Sequence, residues 1–124
     1  MNAASLCSFF GVAALALFLA GCNKAPQTDA AQSLQQSFQS AEPEARKTIE
    51  TVSQSFKSGN YSEAARTLTP MIVNRPMTDA QKQAVGAALQ QLNQAIVADP
   101  KLDTKEMYEL RAKMFQAVQS GPRF

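Results

Sequence analysis

The chain contains 124 residues, with twelve Lys and Arg against ten Asp and Glu and no His. A chain without His lacks the commonest general base and the commonest metal ligand, which excludes every Ser-His and Cys-His catalytic arrangement. Its charges are mixed in sign rather than clustered, as on a solvated surface. The composition therefore predicts no enzyme, no nucleic-acid binding and no metal site.

The first predicted element is an apolar segment near the start of the chain. Residues 9–20, FFGVAALALFLA, are all apolar or small, but a membrane-spanning helix needs roughly 20 such residues. An apolar stretch of about 7–15 residues followed by small residues is typical of a secretory signal peptide. The positive charge usual at the start of such a peptide is missing from residues 1–6. We predict a signal peptide over residues 1–21.

The end of this segment carries a specific motif. Leu19-Ala20-Gly21-Cys22 resembles the lipobox of bacterial lipoproteins, in which Leu and two small residues precede an obligatory Cys. The resemblance implies that the signal peptidase recognises Leu19, Ala20 and Gly21 and leaves Cys22 as the lipid-modified first residue. It also implies a lipid-anchored location in the bacterial envelope. Because Asn23 and not Asp follows, the sorting rule of enteric bacteria favours the outer membrane, facing the periplasm; the inner membrane is the alternative.

Residues 22–29 are predicted to be the lipidated cysteine and a tether. The segment after Cys22 is polar and contains a proline, and seven residues reach at most about 25 Å. Of the two cysteines, Cys7 leaves with the signal peptide and Cys22 is consumed by lipid. The helical domain predicted over residues 30–124 therefore has no disulfide and no cofactor other than the covalent lipid.

Two helices are predicted next. A Gln- and Ser-rich pattern with Leu34 and Phe38 on one side predicts a first helix over residues 30–41. Pro43 fits the first position of a second helix, where its missing N–H is not needed. Gly59 fits the left-handed turn that ends that helix.

Residues 56–68, FKSGNYSEAARTL, resemble the middle of a tetratricopeptide repeat, a helix-turn-helix unit of about 34 residues. The matching residues are Gly59, Tyr61, Ala64, Leu68 and Pro76. The resemblance implies a helical hairpin, in which we expect Gly59 to make the turn, Tyr61 to cover its base and Ala64 to let the two helices cross closely. A second copy of the pattern is missing from the sequence.

The third helix opens with NYSE, a capping-box pattern over residues 60–63, and Pro70 is expected to kink it or end it early. The fourth helix opens with the capping box TDAQ at residues 78–81 and ends at Asp99-Pro100. A fifth follows the box DTKE at residues 103–106. Strand-like alternation is missing throughout. The predicted fold is all-α, a small bundle of four to five short antiparallel helices, with tetratricopeptide-like hairpins.

The candidate binding residues lie on the last helix. Tyr108 and Phe115 are seven residues apart at the edge of its apolar side, with Arg111 between them. This apolar side is wider than one neighbouring helix covers. Either the first helix folds back and covers the rings with Leu34 and Phe38, or a partner protein binds them.

These features predict a membrane-tethered periplasmic lipoprotein that acts as a helical interaction or scaffold module for another envelope protein. The alternative is an abundant structural or stress-related envelope lipoprotein without a specific binding groove. The carboxylate pairs Glu42/Glu44 and Glu106/Glu109 lie near helix starts, where the helix dipole favours acidic residues. They are therefore not interpreted as catalytic pairs.

Overall fold

The structure is a computed structural model that describes residues 29–120. It contains five α-helices: α1 (Ala30–Ser37), α2 (Pro43–Lys57), α3 (Tyr61–Val73), α4 (Asp79–Ala98) and α5 (Lys105–Gln119). One turn of 3₁₀ helix (Pro100–Leu102) separates α4 from α5. Within residues 29–120 there is no strand, and the prediction of a small all-α bundle is confirmed.

The five helices form a closed ring, because each packs mainly on two others. The order round the ring is α1, α2, α3, α5, α4 and back to α1. A ring with an odd number of members cannot alternate in direction throughout, so one neighbouring pair must be parallel. That pair is α3 and α5: Arg66 in the first half of α3 contacts Glu106 at the start of α5, and the ends of both helices line one groove. The remaining neighbours run antiparallel.

The parallel pair is joined by an ion pair on the surface. The Arg66 Nε donates to a carboxylate oxygen of Glu106 at 2.5 Å, and its Nη2 donates to the other at 3.2 Å. These hydrogen bonds from Arg66 lower the pKa of the Glu106 carboxyl below its usual value. Both groups are solvent-exposed, so the pair orients α5 against α3 more than it stabilises the domain.

All five helices contribute to one core. Its largest buried side chains are Phe38, Leu34, Ile49, Leu68, Ile72, Leu92, Met107, Met114, Val52 and Val85. The buried hydroxyls are satisfied by backbone carbonyls: Ser53 donates to Ala31 at 3.2 Å, and Thr69 donates to Ala65 at 2.7 Å. Buried polar groups with partners do not weaken such a core. The Ser53 bond also fixes α1 against α2.

The helix starts agree with the sequence in part. The capping box at Thr78 and Gln81 is confirmed, with both reciprocal hydrogen bonds formed at 3.2 and 3.0 Å. The box expected from Asn60 to Glu63 is wrong: the side chain of Asn60 makes no capping bond. Its backbone N–H already donates to Ser55 at 2.8 Å in the turn that ends α2. The side chain of Glu63 therefore finds no free backbone N–H on Asn60 from which to accept a hydrogen bond.

The expected box from Asp103 to Glu106 is displaced by one residue. The capping side chain is that of Thr104, which accepts from the backbone N–H of Met107 at 3.1 Å. The reciprocal position for Thr104 is Met107, which has no carboxylate or amide group to reach back, and Glu106 is engaged with Arg66 instead.

Two helix ends also differ from the sequence prediction. α1 ends at Ser37 and not at residue 41, although Phe38 is still buried. α3 continues through Pro70 to Val73. Proline cannot donate to the carbonyl of Arg66, but both residues are exposed, and water can supply that hydrogen bond. Pro70 therefore neither buries an unpaired carbonyl nor ends the helix.

Gly59 is the turn residue that the sequence predicts, with φ of 77°. Gly59→Ala is expected to lower the free energy of unfolding by about 1–2 kcal/mol, the cost of a left-handed conformation for an L-residue. An added Cβ meets no atom within 4 Å, so backbone strain is the only cause. Urea unfolding measures the change.

Gly86→Ala is the matched control for Gly59→Ala. Gly86 lies inside α4, and an added Cβ there also meets nothing within 4 Å. Because Ala stabilises a helix interior relative to Gly, this substitution is expected to raise the free energy of unfolding by roughly 0.5–1 kcal/mol. Two effects of the same sign would contradict the strain assigned to Gly59.

Candidate protein-binding face

Tyr108 and Phe115 are exposed on the outer side of α5, with 65% and 56% of their surface accessible. They border a groove of about 560 Å³ between α4 and α5. Each ring directly follows a buried methionine, Met107 or Met114. Successive residues of an α-helix are turned by about 100°, so the methionines point into the core and the rings point away from it.

The first helix does not cover these rings. Leu34 and Phe38 are buried, but α1 packs on α2 and α4, whereas the rings project from α5. The sequence left two possibilities for these rings: α1 covers them, or a partner protein binds them. The first is wrong. The reason is the ring order: α4 lies between α1 and α5.

Arg111 is bound to its own chain. Its Nη1 donates to Asn93 of α4 at 2.7 Å, and its Nη2 lies 3.5 Å from a carboxylate oxygen of Asp103. Its Nε is buried and meets no acceptor among the residues the structure describes. Arg111 therefore fixes α5 to α4 at the floor of the groove and leaves the rings as the projecting groups.

The groove continues onto an uncharged surface of α4. Residues 83–98, QAVGAALQQLNQAIVA, contain no charged side chain. Gly86, Gln90 and Asn93 line the groove, and Val97 follows them at helical spacing, 84% exposed. We call this surface the α4–α5 face, and its members are Gly86, Gln90, Asn93, Val97, Tyr108, Arg111, Ala112 and Phe115.

Sequence reasoning missed the α4 half of this face. The charge-free run from Gln83 to Ala98 was a usable signal, because exposed helix surfaces usually carry Lys and Glu. What the sequence could not show was that α4 and α5 lie side by side. Of the four large hydrophobic side chains exposed in the described part of the chain, three belong to this face; Val73 is the other.

A second groove, of about 1060 Å³, lies at the C-terminal ends of the parallel helices α3 and α5. It is bordered by the ends of α3 and α5 and by the loop that follows α3. Its apolar floor includes Ile72 and Leu110, and its basic residues are Arg75, Lys82 and Lys113. Arg75 is paired with Glu42 across this end of the bundle.

The acidic residues are distributed between separate contacts. Glu42 pairs with Arg75, and Glu106 pairs with Arg66. Within residues 29–120, no three His, Cys, Asp or Glu side chains form a group that could hold a metal ion. In the same range, no helix has the length and apolar character needed to cross a membrane.

The predicted signal peptide (residues 1–21), the recognition residues Leu19, Ala20 and Gly21, and the lipidation site Cys22 lie outside the described residues. Comparison with protein-family models, with curated proteins and with solved structures found no match to this chain.

Proposed function

We propose that this chain is a lipid-anchored protein of the bacterial envelope whose helical domain binds another envelope protein through the α4–α5 face. The anchor is the covalent lipid on Cys22, added after cleavage that follows Leu19, Ala20 and Gly21. The membrane is the outer membrane, with the protein facing the periplasm, because Asn23 follows the cysteine. The activity is binding and not catalysis.

The anchor and the helical bundle together give the proposal its geometry. Each buried methylene of an acyl chain contributes about 0.8 kcal/mol, so two or more chains hold the protein on the membrane. The tether reaches at most about 25 Å before Asp29, which caps the start of α1. The α4–α5 face is therefore held close to the membrane, where a weak interface is effective because the local concentration of partners is high.

The observation that carries the binding function is the exposure of Tyr108, Phe115 and Val97 on one face whose α4 half is uncharged. Aromatic residues are enriched where interfaces derive most of their energy. An envelope lipoprotein that acts by abundance alone would have these rings buried under Leu34 and Phe38. Their exposure favours the binding function over that alternative.

Crosslinking in intact cells, followed by purification of the protein, tests this function. The wild type is expected to retain an envelope protein in near-stoichiometric amount. Tyr108→Ala/Phe115→Ala is expected to reduce the yield at least tenfold, since truncating a residue that dominates an interface costs about 2 kcal/mol or more. Circular dichroism establishes that the double variant is folded.

Val73→Ala is the control, because Val73 is a large exposed hydrophobic residue outside the α4–α5 face. It is expected to leave the yield unchanged. A folded double variant that retains its partner as the wild type does, or a wild type that is crosslinked neither to another envelope protein nor to a second copy of itself, would contradict the proposed function.

A further inference from the structure

The α4–α5 face also indicates what kind of partner it binds, an inference that rests on the proposed function. We propose that the partner is a second copy of this chain. Two copies pack their α4 and α5 helices together about a two-fold axis parallel to the helices. The product is a four-helix bundle at the centre of a membrane-tethered dimer.

The absence of charge from residues 83–98 of α4 favours a second copy over a different protein. In a two-fold interface the same patch is present on both sides, so a charge near the axis meets its own sign. Residues 83–98 bring no such charge. Gln90 and its amide neighbours can pair with identical groups, because an amide side chain both donates and accepts hydrogen bonds.

Interfaces between different proteins are commonly made specific by opposite charges. The charged group on this face is Arg111, and it is already bonded to Asn93 and Asp103 of its own chain. α1 borders α4 in the ring, and residues 30–37 are also uncharged. The uncharged surface therefore extends beyond the groove, while α2, α3 and α5 carry most of the charges of the domain.

The helix directions fit the proposed dimer. α4 and α5 are antiparallel, and the two-fold axis places each α4 beside α5 of the other copy. Every neighbouring pair in the resulting four helices is antiparallel, as in up-down-up-down bundles. This axis also puts Asp29 of both copies at the same end of the dimer. That arrangement suits two copies whose helices stand upright on one membrane, whereas an axis perpendicular to the helices would place the tethers at opposite ends.

The shape of the face gives the copies a way to interlock. Gly86 and Ala112 are small and border the groove between α4 and α5. Tyr108 and Phe115 project at its edge. Rings from each copy can enter the groove of the other and exclude water from the uncharged surface.

The size of the face indicates where the dimer forms. α5 has 15 residues and is therefore about 22 Å long, and two helices side by side are about 20 Å wide. The projected area is roughly 450 Å² per copy, less than the approximately 800 Å² per partner of a standard stable interface. Confinement on one membrane compensates by raising the effective concentration of copies. The dimer is therefore expected on the membrane and at high surface density.

The test uses the full chain in intact cells. Ala112→Cys places a thiol in the groove, and Cys7 and Cys22 are the natural cysteines of the chain. A bismaleimide crosslinker is expected to give an adduct of twice the protein's mass. Gln54→Cys, on the exposed side of α2, is the matched control and is expected to give none.

Substitutions that add a charge at Gln90 then test whether the partner is a second copy of this chain. In the Ala112→Cys background, Gln90→Lys and Gln90→Glu are each expected to lower the adduct at least fivefold, because both copies bring the same charge. Co-expression of the two variants, one of them epitope-tagged, is expected to restore a mixed adduct. Gln54→Lys is the control and is expected to change nothing.

Unchanged adduct in both Gln90 variants, or no recovery on co-expression, would overturn the second-copy inference. An adduct of Ala112→Cys with a protein of different mass, in the membrane fraction, would overturn it while leaving the proposed function standing. Loss of the wild type from the membrane fraction would instead contradict the proposed function, because the anchor itself would be missing.

Discussion

Phe38→Ala is expected to lower the free energy of unfolding by about 3–5 kcal/mol, the usual cost of removing a buried phenylalanine ring. Phe38 follows α1 directly and is 1% exposed. It lies in the same core cluster as Leu34, Ile49 and Leu92. The loss combines the transfer free energy of the ring with the cavity that remains between the helices.

The effect is large because of what α1 does in the ring. A domain of this size has a total stability of about 5–15 kcal/mol. α1 has only eight residues, and isolated helices shorter than about 12–15 residues are marginal in water. Packing therefore maintains α1, and the loss of Phe38 would release it and open the ring between α2 and α4.

Phe115→Ala is the matched control, since the same side chain is removed from a position that is 56% exposed. It is expected to change the free energy of unfolding by no more than about 0.5 kcal/mol. Urea unfolding followed by circular dichroism measures both variants. If Phe38→Ala costs no more than Phe115→Ala, α1 does not belong to the cooperative unit described above.

The individual helices could be predicted from sequence because their signals are local. Pro43 at a helix start, Gly59 at a turn and the capping box of Thr78 with Gln81 each depend on residues within one turn of the backbone. Where a local signal failed, a competing partner explains it. Asn60 uses its backbone N–H in the preceding turn, and Glu106 forms an ion pair with α3.

The arrangement of the helices could not be predicted in the same way. Periodicity shows which side of a helix is apolar, but not which neighbour covers that side. Leu34 and Phe38 could equally have faced α5, and that placement would have hidden the aromatic rings. The ring order, with α4 between α1 and α5, decides the outcome through the summed packing of five helices.

Only the α5 half of the candidate site was therefore predicted from the sequence. Tyr108 and Phe115 were found from their spacing on one helix. Val97 was not, because its contribution depends on the contact between α4 and α5. A surface that combines residues from two helices requires their relative rotation, and one sequence does not contain it.

Cys22→Ser is expected to remove the protein almost completely from the membrane fraction. A thiol accepts the thioether-linked diacylglycerol, whereas a serine hydroxyl does not replace it in this modification. Without the acyl chains, the hydrophobic free energy of about 0.8 kcal/mol for each buried methylene is lost. The product is expected to be uncleaved or cleaved elsewhere than between Gly21 and Cys22, since the motif that this segment resembles has an obligatory Cys at the cleavage site.

Cys7→Ser is the matched control, because the chain has two cysteines and the proposal assigns lipid to Cys22 alone. Cell fractionation shows where each variant is found, and mass spectrometry of the first residues shows cleavage and acylation. Cys7→Ser is expected to behave as the wild type, since Cys7 lies within the segment that is removed. Suppose that Cys22→Ser also remained in the membrane fraction and that its first residues had the same cleavage site and acylation by mass spectrometry as the wild type. The anchor would then have to lie elsewhere. The tether could then no longer account for holding the α4–α5 face beside the membrane.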